Sequence, residues 1–257
     1  MTDKVKISAI IVTFNEAKRI RRCLDSIKWI DEIVVVDQSS TDKTAAICRE
    51  YTEKVYVVSN KGFCEPDRPV ALSKTSNEWI LYLDADESVS GELRQEIEST
   101  LALTPKYDCY YMPRKNIYLG KWIRYSGWYP GYVLRLFKKD KVSFSEKIHT
   151  DVTPMGSCGY MKNDLLHYTY ENVDEHVAKM VRYTNVLAEQ SYARGERITA
   201  RNFIWKLLVL PMVYSLKKYV WLQGYRDGVR GLMISAFTFF TAVVSNAKLW
   251  EIQLRKK

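Results

Sequence analysis

The sequence predicts an α/β protein: a mostly parallel, Rossmann-like, doubly wound sheet followed by an amphipathic helical region. Three observations carry that prediction. Strand-like runs alternate with helix-like segments over roughly the first hundred residues, the pattern of βαβ units. Val5 to Phe14 is almost unbroken β-former sequence, as expected of a strand covered on both faces. From Asn172 onward, the spacing turns helical and the apolar runs lengthen.

The elements follow in order. The first strand ends at Thr13-Phe14-Asn15-Glu16, and a helix-like stretch to Ile30 places Ile20, Leu24 and Ile27 on one face. Glu32 to Val36 is a second strand, closed by Asp37-Gln38-Ser39-Ser40-Thr41-Asp42, where Thr41 or Asp42 can cap the helix carrying Ala45, Ala46 and Ile47. Lys54 to Val58 gives a third strand, and Pro66 to Ser76 a loop and short helix. Trp79 to Leu83 is a fourth strand that runs straight into Asp84-Ala85-Asp86-Glu87, with a helix starting near Ser90. Further strands are expected at Tyr110–Arg114 and Tyr132–Phe137.

Composition narrows the function. The 257 residues are 47% hydrophobic and 27% charged, the proportions of a folded chain that can bury a large core. The net charge is +9, yet residues 201–257 hold ten Lys or Arg against two Asp or Glu, so the preceding 200 residues are close to neutral. Five scattered cysteines without C-x-x-C spacing argue against a disulfide framework or zinc site and fit a reducing compartment. Met1 to Lys6 lacks the apolar core of a signal peptide, so the main body is expected in the cytosol. With neither G-x-G-x-x-G nor G-x-x-x-x-G-K-[ST] present, a dinucleotide or P-loop enzyme is disfavoured.

In an open α/β sheet, ligands bind beyond the carboxyl ends of the strands. Thr13–Glu16, Asp37–Asp42 and Asp84–Glu87 would share that rim. Each can serve merely as a turn or cap, but together they exceed what capping needs. An acidic rim requires a cation before it can hold a phosphate. Carboxylate oxygens suit Mg2+ or Mn2+, which keep several waters and share coordination with substrate phosphates.

Ser8 to Glu16, Val34 to Asp42 and Leu81 to Glu87 resemble, in order and spacing, the motifs of family 2 glycosyltransferases of GT-A fold. The later part resembles the bacterial branch that adds sugars to the lipopolysaccharide inner core as β-1,4-glucosyltransferases. The resemblance implies that Thr13, Asn15 and Glu16 line the nucleotide pocket, that Asp37 faces the base, and that Asp84 lies near the ribose and diphosphate. It makes Asp86 the metal ligand and gives Arg68 a part in holding the phosphates, although Glu65-Pro66-Asp67-Arg68-Pro69 departs from the usual polar run. A divalent ion would offset the charge of the departing nucleoside diphosphate.

An inverting transferase needs a general base at the acceptor hydroxyl. The related branch shows a His-Glu pair where this chain has His149-Thr150-Asp151, so Asp151 is the first candidate, Glu146 the second, and His149 a residue to orient the base or bind the acceptor. His167 and His176 read as structural. Between residues 107 and 167, Tyr and Trp alternate with basic residues, a mix that suits sugar rings and anionic groups as well as a core.

The expected domains are a catalytic one over 1–170, with a nucleotide-sugar half (1–104) and an acceptor half (105–170), and a helical membrane-associating region over 171–257. Asn202–Tyr214 and the 17 uncharged residues Gly231–Ala247 read as amphipathic helices in an anionic membrane interface, because Pro211 and Lys206 break the first run and hydroxyl residues dilute the second. Packing on the catalytic domain or on another subunit is the rival, and a transmembrane hairpin ranks last. Nucleic acid is discounted, since the basic charge is interleaved with apolar runs. The expected partners are a nucleotide-sugar donor such as a UDP-sugar and a lipid-linked saccharide acceptor, met on the cytoplasmic face of the inner membrane. The alternative is a membrane-bound nucleotide-sugar-binding protein that lacks a working base.

Overall fold

A computed structural model describes residues 5–144 and 152–256. In chain order, the elements are β1 (Ile7–Thr13), α1 (Ile20–Asp25), β2 (Glu32–Asp37), α2 (Thr44–Arg49), β3 (Val55–Val57), α3 (Arg68–Ser73), β4 (Trp79–Asp84), β5 (Glu87–Val89) and α4 (Gly91–Ala102). There follow β6 (Cys109–Tyr118), β7 (Lys121–Trp122), β8 (Gly131–Lys138), β9 (Val142–Ser143), β10 (Thr153–Pro154), β11 (Cys158–Tyr160) and β12 (Leu165–Tyr170). The helices α5 (Val173–Ala193), α6 (Leu210–Leu216) and α7 (Val229–Arg255) complete the chain. Two compact units result: Met1–Arg114 with Gly131–His167, and Lys115–Pro130 with Tyr168–Lys257.

In the first unit, the strand order is β3-β2-β1-β4-β8-β6-β12-β5. The four N-terminal strands of that order are parallel, as their apolar runs predict, whereas β8 joins β4 antiparallel and continues the sheet antiparallel to β6. Alternation along the strands splits the core in two. Ala9, Ile11, Val35, Leu81 and Leu83 face Ile20, Leu24, Leu93 and Ile97, while Ile10, Val12, Val34, Val36, Ile80 and Tyr82 face Ala71 on the other side. Ser90 caps α4 by accepting the Leu93 amide at 3.1 Å. Helix α1 stops at Asp25, short of the expected Ile30.

Register aligns the polar strand ends. Thr13 lies opposite Asp37 across β1 and β2, and Val12 lies opposite Asp84 across β1 and β4. All three therefore open on one edge of the sheet.

The second unit is a helical bundle with a short β excursion. Asn172 caps α5 through the Glu175 amide at 2.8 Å, and Ala188 packs with Ile198 and Leu249 of α7. Residues 205–209 and 217–221 form π-helical turns on either side of α6. Pro211 has no N–H to return to the preceding turn, which explains the loosened winding before it. Gly231 is required at the start of α7, because a Cβ there would meet the Gly224 carbonyl oxygen at 1.8 Å. Residues 115–130 group with these helices since Tyr118 and Ile123 pack on Ile234.

Helix α7 is long and apolar enough to cross a membrane by length and composition, and only 17% of its most apolar window is buried. Around it, Trp205, Leu208, Val213, Leu216 and Trp221 are exposed, Trp221 by 83%.

Candidate active site

The rim is built from hydrogen bonds between strand ends. Asn15 adopts a left-handed backbone (φ 54°), which turns its amide to the Ser40 hydroxyl at 2.9 Å and its side-chain oxygen to the Thr41 amide at 2.8 Å. The Glu16 amide donates to Thr44 Oγ1 at 2.8 Å, and its carboxylate meets Arg19 at 3.2 Å. Asp37, fully buried, accepts the Ser40 amide (2.9 Å) and hydroxyl (2.5 Å). Asp42 accepts the Thr44 amide and hydroxyl and the Ala17 amide, but the residue at the cap of α2 is Lys43, one position beyond the expected Thr41 or Asp42. Burial pushes the Asp42 carboxyl up, yet these donors outweigh burial and hold it below its usual range. Thr13, between them, keeps a buried hydroxyl without a partner among the described residues.

The end of β4 carries the second half. The Tyr82 hydroxyl donates to Asp84 at 2.5 Å, and the Arg135 guanidinium bonds both Asp84 and, at 2.8 Å, Glu87. Glu87 is wholly buried, accepts the Asp84 amide at 3.1 Å, and has Arg114 at 3.7 Å. Burial pushes both carboxyls up; Arg135's charge outweighs it at Asp84, which lies below its usual range, while Glu87 stays above. Arg68, at the start of α3, holds its guanidinium 5.0 Å from the centroid of the Tyr82 ring, and Arg135 lies 4.4 Å from the same centroid. Burial, with smaller help from the negative charges of Asp84, Glu65 and Glu16, pushes the Cys64 thiol up to about 12.

Asp86 occupies the turn between β4 and β5. His167 of β12 stands opposite Glu87 in the sheet and brings Nε2 to 3.4 Å from Asp86 Oδ2, both side chains about nine-tenths buried. His167, read from the sequence as structural, thus stands against the residue expected to hold the metal. His176 is structural: it stacks between Tyr170 (4.2 Å) and Phe237 (3.8 Å), bonds Tyr118 through Nδ1 at 3.0 Å, and burial pulls its pKa down to about 4.

The structure thus gathers Thr13, Asn15, Glu16 and Asp37 on one stretch of rim and Arg68, Asp84 and Asp86 on the next. Glu146, His149 and Asp151 lie outside the described residues. Arg135, Arg114 and His167 were missed by sequence reasoning. Arg135 had one legible signal, a lone cation within the β-run Tyr132–Phe137, because a buried arginine demands carboxylate partners.

No group of three or more His, Cys, Asp or Glu side chains suited to a metal occurs among the described residues. Asp86 and His167 offer one oxygen and one nitrogen donor, a set that fits a divalent ion sharing its other positions with water and phosphate.

Residues 8–165 match the family model described as glycosyl transferase family 2. The chain is a family 2 glycosyltransferase. This transferase is 28% identical over 260 residues to the lipopolysaccharide core biosynthesis glycosyltransferase LpsC of Rhizobium meliloti (strain 1021), covering 94% of the present chain and 92% of that one. It is 32% identical to an uncharacterized glycosyltransferase of Rickettsia bellii (strain RML369-C), over 97% and 88% of the two chains. Its GT-A fold is shared with the mannosyltransferase PcManGT from Pyrobaculum calidifontis, solved with GDP-Man and Mn2+ (TM-score 0.57, 16% identity, 96% and 88% covered). It is shared also with S. aureus TarS 1-349, solved with UDP-GlcNAc (TM-score 0.52, 16% identity, 98% and 93% covered).

Proposed function

We propose that this transferase moves a hexose, such as glucose, from a UDP-sugar to a lipid-linked saccharide of the lipopolysaccharide core, with inversion at the transferred carbon. The observation that carries the reading is the pairing of Asp86 with His167 at the end of β4, beside a rim of buried polar groups. Thr13, Asn15, Glu16 and Asp37 bind the nucleoside, the orphaned Thr13 hydroxyl finding its partner there. Asp84 orients the ribose and diphosphate, and Arg68 neutralises phosphate charge. Asp86 and His167 hold Mg2+ or Mn2+, which when bound supplies Lewis-acid stabilisation of the diphosphate. Arg135 and Glu87 position Asp84: one fixes its carboxylate, the other its amide. Asp151 takes the acceptor proton, with Glu146 as second candidate and His149 orienting the base.

The protein works on the cytoplasmic face of the inner membrane. Supporting this are its likeness to a core-biosynthesis transferase, its free cysteines, and the exposed apolar residues beside basic ones in the second unit. The test is donor hydrolysis and transfer with Mn2+ or EDTA. Asp86→Asn should abolish turnover and leave thermal unfolding nearly unchanged. Full activity in EDTA, or a wild-type rate in the variant, rules the assignment out.

A further inference from the structure

Residues 115–130 hold Lys115, Lys121 and Arg124 with no Asp or Glu, and Tyr118, Trp122, Tyr125, Trp128 and Tyr129 supply the rings. The fold makes one cluster of them. Lys115 Nζ lies 4.4 Å and the Arg124 guanidinium 4.3 Å from the centroid of the Trp122 ring, and Arg226 lies 4.4 Å over Tyr125. The neighbouring acid, Asp227, is already committed: its oxygens accept the backbone amides of Arg124 (3.2 Å) and Tyr125 (2.9 Å). Among the described residues, neither Lys115 nor Arg124 has a carboxylate partner, and the buried Trp122 indole N–H has no acceptor.

Each cation gains about 0.5–1 kcal/mol from an exposed ring face. Both charges lie within 4.4 Å of the same centroid, so they are no farther apart than about one Debye length of 8 Å, and salt weakens their repulsion without abolishing it. An anion beside Trp122 would relieve that repulsion, and a sugar ring could pack on the adjacent aromatic faces. A lipid surface fits less well. The large exposed apolar side chains of this unit lie on α5, on the 203–221 helix, at Tyr225 and on α7, and none falls within 115–130.

We propose that Lys115, Arg124 and Trp122 form a subsite for an anionic group, carboxylate or phosphate, carried on the acceptor saccharide. This rests on the acceptor-saccharide reading above and adds that the acceptor is charged at this point. The test is isothermal titration of the full-length protein with trigalacturonate, maltotriose and phosphatidylglycerol vesicles. The wild type should bind trigalacturonate at least tenfold more tightly than maltotriose. K115Q/R124Q should lose that preference at an unchanged thermal midpoint, keep vesicle binding within twofold, and K115R/R124K should restore the preference. Equal wild-type affinity for the two trisaccharides, an unaffected K115Q/R124Q, or a variant that loses vesicle binding instead would overturn the proposal. UDP binding by the wild type, measured alongside, tests the nucleotide-sugar reading separately: its absence would sink that reading whatever the trisaccharides do.

Discussion

Arg135→Met keeps most of the side chain's volume and removes its charge. The guanidinium is 6% exposed and lies between Asp84 and Glu87, the latter without solvent contact. Removing the cation leaves Glu87 desolvated and uncompensated, while Asp84 keeps 35% of its side chain in solvent; breaking a buried pair in this way costs about 3–5 kcal/mol. Arg114 at 3.7 Å offers Glu87 partial relief, which favours the lower end of that range. For domains of 150–250 residues, each kcal/mol moves the melting point about 2–4 °C, so a fall of roughly 6–20 °C is expected. Urea unfolding followed by circular dichroism gives the free energy directly. The double variant Arg135→Met, Glu87→Gln should recover at least about 1 kcal/mol, because groups in one network couple by about 0.5–3 kcal/mol. If Arg135→Met unfolds within ~1 kcal/mol of wild type, or the second substitution recovers nothing, the cation is not what holds these carboxylates.

Three further outcomes are expected. Asp151→Asn should lower kcat by at least ~100-fold with donor affinity kept, and the same loss in Glu146→Gln instead would reverse the order of the two bases. Glu32 is bonded by Lys54, Ser76 and Ser8, and although burial pushes its carboxyl up, these donors bring it down to about 2. Being depressed in the folded state, it stabilises above about pH 4.5 and loses that contribution as the pH falls toward 2, a contribution that solvent screening around the exposed Lys54 holds to about 1 kcal/mol. Glu32→Gln should flatten the acid limb of the stability profile, and an unchanged limb would refute the linkage. Finally, Trp205→Ser with Trp221→Ser should weaken co-sedimentation with anionic vesicles at least about tenfold, or ~1.4 kcal/mol, mainly in the fraction that resists salt; equal sedimentation would argue that these residues meet a protein.

The sequence by itself determined the parallel strands, their order along the chain and the three polar ends, because strands buried on both faces read as continuous apolar runs and stop where polar residues begin. It also marked a helix start at Asn172 by helical spacing and another near Ser90, and in the fold both residues cap their helices. The alignment of Thr13, Asp37 and Asp84 on one edge needed only parallel pairing to follow. Tertiary structure alone decided the rest. The sequence displays Arg135 and His167 as isolated side chains; that one neutralises Asp84 and Glu87, and that the other faces Asp86, depends on antiparallel partners brought in from far along the chain. Residues 115–130 read as part of the acceptor half, 105–170, yet they group with the C-terminal helices, where Tyr118 and Ile123 find Ile234. Charge and apolarity are local properties of a residue, but the counter-charge and the covering surface that burial requires are supplied by whichever segment the fold places beside it.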